Sequence, residues 1–199
     1  NKDYDFVQIN KDYKPYNYQE LLNVFYTVLD SGYENFTFYC PSEYLDCIDD
    51  VKKISNPENV DILTTIGNFV SPYNNFTSLK VQFDTSGEVT LDIKRLYSSE
   101  DIINISNKID SIWKDIVTQD MSTEDVIYAF HDYIINTTKY DETYEKEIKN
   151  GKSTHNSAKA NGPLFEGFGI CSGYTDVLSI VLDKLGLDNY KVASKTHVW

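Results

Sequence analysis

Gly167-Phe168-Gly169-Ile170-Cys171-Ser172-Gly173-Tyr174, followed 26 positions after its cysteine by His197-Val198-Trp199, is the stretch on which the reading of this chain turns. Cys171 stands just after two glycines and just before an apolar run, Tyr174, Val177, Leu178, Ile180, Val181, Leu182 and Leu185. That run is apolar on most sides, which predicts a central helix, and Gly186 ends it. A cysteine at a helix N-terminus meets unpaired backbone N–H groups and the positive end of the helix dipole. Both favour thiolate over thiol, and a neighbouring imidazolium favours it further. With a base beside it, such a thiol is an activated nucleophile. Without one it is a small buried hydrophobe. His197, at the expected start of a strand beside Tyr190–Ala193, is the candidate general base.

The flanking residues have tasks in that chemistry. Gly169 and Gly173 let backbone approach a reacting carbonyl closely, and the Cys171 N–H can donate to an oxyanion. Tyr174 is expected to pack under the nucleophile. Trp199 is expected beside the imidazole, excluding water, or in the core. Tyr140-Asp141 either shapes the cleft near the thiol or, through Asp141, caps a turn. His131, at helical spacing from Ile127 and Ile134, reads as a hydrogen-bonded structural histidine, and His155 as a solvated loop residue. No cysteine or histidine pair has zinc-ligand spacing, so no metal is expected.

These residues resemble a known family. Gly169-Ile170-Cys171-Ser172-Gly173-Tyr174, the helix ending at Leu185-Gly186-Leu187, a strand, and His197-Val198-Trp199 are similar to the transglutaminase-like superfamily. His131-Asp132-Tyr133-Ile134 and Tyr140-Asp141 match the upstream signature of its bacterial members. The resemblance runs from about Ser122 to Trp199. It implies a papain-like thiol fold with a Cys-His-Asp triad, of which Cys171 and His197 are two members. The family's third member lies on a strand after the His-x-Trp strand, beyond Trp199. The expectation is therefore an incomplete core, weak or inactive as residues 1–199, with a strand edge open to association between chains. The resemblance implies no cofactor and a protein or peptide substrate, a cell-wall peptide among the candidates. It also implies an extracellular or cell-surface setting in a Gram-positive bacterium.

Upstream, Asn17 and Glu20 form a capping pair for a helix carrying Leu21, Leu22, Phe25, Val28 and Leu29, closed at Ser31-Gly32. Phe36, Phe38 and Cys40 alternate as a strand. Ser42 is read as opening a helix with Leu45, Ile48, Val51 and Ile54 on one face, and Asn56-Pro57 as capping another with Val60, Leu63 and Ile66. Leu79, Val81 and Phe83, the turn Asp84–Gly87, and Val89, Leu91 and Ile93 predict a hairpin. A helix from about Ser99 carries Ile102, Ile105, Ile109, Ile112, Trp113 and Ile116. Gln119–Ser122 is the expected boundary, giving an accessory α/β region 1–120 and a core 121–199. Ser122 and Asp125 cap the next helix. Residues 139–168 read as mostly loop, with short helical turns near 157–161. The fold class expected is α+β.

Composition limits the rest. With 41% hydrophobic residues, 16 Tyr and 10 Phe, the chain can bury a core. A net charge of −13 and a single arginine, Arg95, argue against nucleic acid or an anionic membrane surface as partner. No apolar run approaches the ~18 residues of a membrane span. Cys40 and Cys47 can pair if the protein is exported, which leaves Cys171 free. The chemistry expected is attack of Cys171 on an amide carbonyl and passage of a thioester to water (peptidase or amidase) or to an amine (transglutaminase). The alternative is a non-catalytic module that keeps the fold and binds protein or glycan through its tyrosine-rich surface.

Overall fold

The computed structural model describes residues 4–10, 12–194 and 196–199. It is α+β, and it divides into two compact units, Asn1–Tyr97 and Ser98–Trp199.

The first unit is built on a three-stranded antiparallel sheet in the order β1-β3-β2, with β1 Asn35–Tyr39, β2 Phe76–Phe83 and β3 Glu88–Arg95. Alternation places Val89, Leu91 and Ile93 of the central strand on one buried face. Helix α1, Tyr18–Asp30, covers that face with Leu21, Val24, Phe25, Val28 and Leu29. Phe25 meets Phe38 edge-on at 6.4 Å. The Asn17–Glu20 cap forms, with the Asn17 side chain accepting from the Glu20 N–H at 2.9 Å. Helix α2 begins at Cys47 rather than Ser42 and ends at Ser55. Residues 41–46 instead make two successive turns, closed by Tyr44 N–H to Pro41 O and Cys47 N–H to Tyr44 O. A Cys40–Cys47 disulfide ties the end of β1 to the start of α2. Cys47, Val51 and Ile54 are the buried stripe, and Leu45 is 91% exposed. Helix α3, Val60–Phe69, buries Ile66 and half-buries Leu63. The expected Val60 side-chain contact lies outside the described residues.

Arg95 closes this unit. Its guanidinium donates to Leu29 O at 2.7 Å, Asn74 O at 2.6 Å, Val28 O at 3.2 Å, and Tyr33 O. Val28 O and Leu29 O belong to the last turn of α1, where carbonyls lack full helical pairing, and Arg95 supplies donors to both. Replacing Arg95 with lysine keeps the charge and removes the fork. We expect a loss of about 2 kcal/mol in urea unfolding; an unchanged midpoint would show that the fork is dispensable.

The second unit contains α4 (Ser99–Ile116), α5 (Thr123–Thr137), β4 (Lys139–Tyr140), α6 (Tyr144–Lys149), a π-turn over Gly162–Glu166, β5 (Phe168–Gly169) and α7 (Cys171–Lys184). Ser98 with Asp101 and Ser122 with Asp125 form complete capping boxes. The division at Tyr97/Ser98 differs from the expected boundary at 120 because α4 packs against α5, α7 and the Asn161 segment. Trp113 lies 5.7 Å from the fully buried Phe130 of α5, Lys184 of α7 reaches Asp110 at 2.7 Å, and Asn161 reaches Asp101 at 2.7 Å. Gln119–Ser122 is only the bend between two helices of one core. Ile105, Ile109 and Ile112 are the buried part of the expected stripe. No helix among the described residues is long and apolar enough to cross a membrane.

Candidate functional site at the start of α7

Helix α7 starts at Cys171, as the glycine pattern predicts, and Cys171 is the free cysteine, half-buried. Ile170 in the cap position makes no side-chain cap. The first-turn N–H groups of α7 therefore receive no side-chain cap from Ile170.

Three segments hold this turn. The first is β4, whose parallel pairing with β5 runs through Lys139 N–H to Gly167 O and Asp141 N–H to Gly169 O, both 2.9 Å. Parallel strands need a long crossover. Residues 141–167, read from sequence as mostly loop, supply it with α6 and the π-turn. The second is the loop around Ser157, whose carbonyl accepts from Ile170 N–H at 2.9 Å, while the Ser172 hydroxyl donates to Ala158 O at 3.0 Å. The approach is close enough that a Cβ on Gly173 would overlap Ser157 O, and one on Gly169 would sit 2.8 Å from Pro163 Cγ. Gly169 also lies against the Tyr174 ring.

The third segment is the hairpin that carries His197. The expected strand over Tyr190–Ala193 is reduced to one bridge, Ala193 with Val198, flanked by paired Val192 and Trp199 backbones. It is fastened to α7 at three points. The Lys191 ammonium lies 3.2 Å from Asp176, Ser179 donates to Asn189 at 2.5 Å, and the Thr175 hydroxyl lies 2.8 Å from Cys171 O and 3.3 Å from Val198 O. Asp176 is 2% exposed, among the buried Val177, Ile180 and Val181. A carboxylate at such a position implies a cationic partner, and the fold shows that partner to be Lys191.

The hairpin is therefore fastened to the second and third turns of α7, through Thr175, Asp176 and Ser179. His197 is exposed, and its ring packs on Trp199 at 5.3 Å between centroids. No hydrogen bond joins it to the Cys171 thiol among the described residues. Trp199 is 59% exposed, beside the imidazole rather than in the core. Tyr140 is also exposed; partial desolvation, then the adjacent Cys171 and Glu145, push its phenol above the ordinary range. The Tyr174 phenol is raised by burial and by Tyr140. Cys171, Tyr140 and Tyr174 thus cluster at one helix end.

His155 departs from the solvated role expected of it. It stacks on Phe168 at 4.2 Å and 11° and approaches Glu166 at 3.7 Å. Its loop is not free chain, because Asn156 is clasped to Glu166. His131 is exposed on α5 and pairs only locally with Asp132 at 3.1 Å. No group of three or more histidine, cysteine, aspartate or glutamate side chains with metal-site geometry occurs among the described residues.

No family model matches the sequence, and no curated protein matches it. One solved structure, described as the crystal structure of a TGase, is similar. The TM-score is 0.42 at 14% identity, over 81% of this chain and 44% of that one.

Asp141 is the buried polar centre of the site, 5% exposed. Burial acts to raise its pKa, but hydrogen bonds from Ser157 and Thr143, with nearby His155, outweigh it and hold the carboxyl below the ordinary range. A carboxylate so depressed stabilises the fold above the unfolded value of about 3.9 and stops doing so as pH falls through the folded value. We expect Asp141→Asn to flatten the fall in stability below about pH 4. Parallel acid limbs for the two proteins, by urea unfolding across pH, would contradict this.

Proposed function

We propose that the chain is a transglutaminase-like cysteine enzyme acting on amide bonds, with a papain-like arrangement of thiol helix and histidine hairpin. The observation that carries the reading is the free Cys171 at the start of α7, with the His197 hairpin tied to Thr175 one turn further along the same helix. The sequence resemblance of Gly169–Tyr174 and His197–Trp199 supports it.

In this mechanism the Cys171 thiolate attacks an amide carbonyl, and the S–C bond forms as the C–N bond breaks. His197 holds the thiol proton and returns it to the leaving amine. The Cys171 N–H stabilises the oxyanion, with Gly169 and Gly173 giving the backbone its close approach. Tyr140 and Trp199 wall the cleft. The resulting thioester passes to water or to an amine, so the products are an acid or a new amide. A protein or peptide is the substrate class, cell-wall peptide included. The Cys40–Cys47 disulfide fits an oxidising, extracellular or cell-surface setting.

The test follows ammonia or amine release from peptide amides and, separately, incorporation of a fluorescent primary amine. Wild type is compared with Cys171→Ala and His197→Gln. Turnover that needs both side chains supports the enzyme. Turnover indifferent to Cys171 overturns it, and binding without turnover favours a module that retains the fold.

A further inference from the structure

Asp141 has no place in the thiol chemistry above, yet it is buried beside the segment that delivers Cys171. Its carboxylate accepts from the Ser157 hydroxyl at 2.5 Å, from the Thr143 N–H at 3.2 Å and from the Thr143 hydroxyl at 3.0 Å. Its own N–H donates to Gly169 O, and Ser157 O accepts from Ile170 N–H, both at 2.9 Å. The result is a closed loop of contacts, Asp141 to Ser157, Ser157 to Ile170, and Gly169 back to Asp141. It grips the two residues immediately ahead of the nucleophile. Ser157 is fully buried, and the Ser157 segment approaches Gly173 and Gly162 too closely for any other residue at those positions. The Ser157 hydroxyl is held by the Asp141 carboxylate, so the loop depends on that carboxylate.

We propose that Asp141 is a positioning residue that, through Ser157, sets the backbone of Gly169–Ile170 and so aims the first-turn N–H groups of α7 at the Cys171 sulfur. This rests on Cys171 being the nucleophile and adds to it a residue that acts without touching substrate.

The sign of the effect separates positioning from simple charge. The charged and titratable groups around the lock include His155, Tyr144, Glu147 and Glu166 on the Asp141 side, Tyr140, Glu145 and Tyr174 on the thiol side, and His197 on the hairpin. Deleting a nearby negative charge by itself favours thiolate and speeds alkylation at low pH. Losing the aim of the N–H groups does the reverse.

The experiment measures the rate of Cys171 alkylation by iodoacetamide from about pH 6 to about pH 9, where free thiols change from mostly protonated to mostly ionised. It uses wild type, Asp141→Ala, Asp141→Asn, Ser157→Ala and Cys171→Ala. Expected are a roughly tenfold slower reaction near pH 6 for Asp141→Ala and Ser157→Ala, a steeper rise with pH, and substantial rescue in Asp141→Asn, which retains an acceptor oxygen. Faster alkylation in Asp141→Ala, or an unchanged profile in Asp141→Ala and Ser157→Ala, overturns the positioning role. A wild-type profile equal to that of a cysteine peptide overturns the nucleophile reading instead, so the two failures are distinguishable. If Asp141→Ala does not fold, Ser157→Ala and Asp141→Asn decide the question by the same signs.

Discussion

In protein that carries the whole triad the resemblance implies, Cys171→Ala is expected to reduce amide turnover by about 10⁴-fold or more while leaving the fold intact. The size follows from the chemistry. Removal of the nucleophile from a covalent mechanism removes the step, not one contribution to it. The residual rate comes from binding and oxyanion donors alone. The fold should tolerate the change because Cys171 is half-buried and its thiol has no structural partner of the kind that Cys40 and Cys47 provide for each other. His197→Gln should cost a comparable amount, because the leaving amine then lacks its proton donor. The check is turnover in wild type and variant beside matched urea unfolding curves. A variant that keeps a tenth or more of wild-type turnover would remove Cys171 from the mechanism.

Gly173→Ala should be strongly damaging to the second unit. The added Cβ would overlap Ser157 O and meet Lys159 O at 3.1 Å and Pro163 Cδ at 3.3 Å. Two of these are backbone atoms, and the Ser157 carbonyl also receives the Ile170 N–H, so it cannot retreat without releasing the turn before Cys171. We expect a loss of about 3 kcal/mol, at the upper end for an overpacked site, together with a fall in thiol reactivity. Gly67→Ala is the control. Gly67 lies within α3 with open space around it, so the same substitution should stabilise by about 0.5–1 kcal/mol. Urea unfolding of both variants gives the comparison, and equal midpoints would show that the Ser157 loop yields freely.

The elements legible in the sequence are those whose signal is local. The caps at Asn17 and Ser122, the β2–β3 hairpin and the start of α7 at Cys171 follow from short-range hydrogen bonding and periodicity. The features that local pattern does not reveal are long-range. Asp141 reads locally as a turn cap, and it does accept from Thr143, but its second oxygen holds Ser157 sixteen positions away. His155 lies in polar sequence, and only the return of Phe168 to β4 gives its ring a stacking partner. The start of α2 is misread from spacing because Leu45 continues the apolar pattern of the helix, while Pro41 and the disulfide bend the chain there. The weak strand over Tyr190–Ala193 has β-favouring residues, but its described pairing is a single bridge. At the site itself, Cys171, Gly169, Gly173 and Tyr174 are readable from their spacing. The pairing of Lys191 with Asp176, which fastens the His197 hairpin, needs the fold.

We propose that the start of α7 makes Cys171 reactive, and its alkylation rate near pH 6, mapped by mass spectrometry and set against an unstructured cysteine peptide, reads this directly. Cys171 should be modified at least about tenfold faster than the peptide. A rate equal to or below that of the peptide would contradict it.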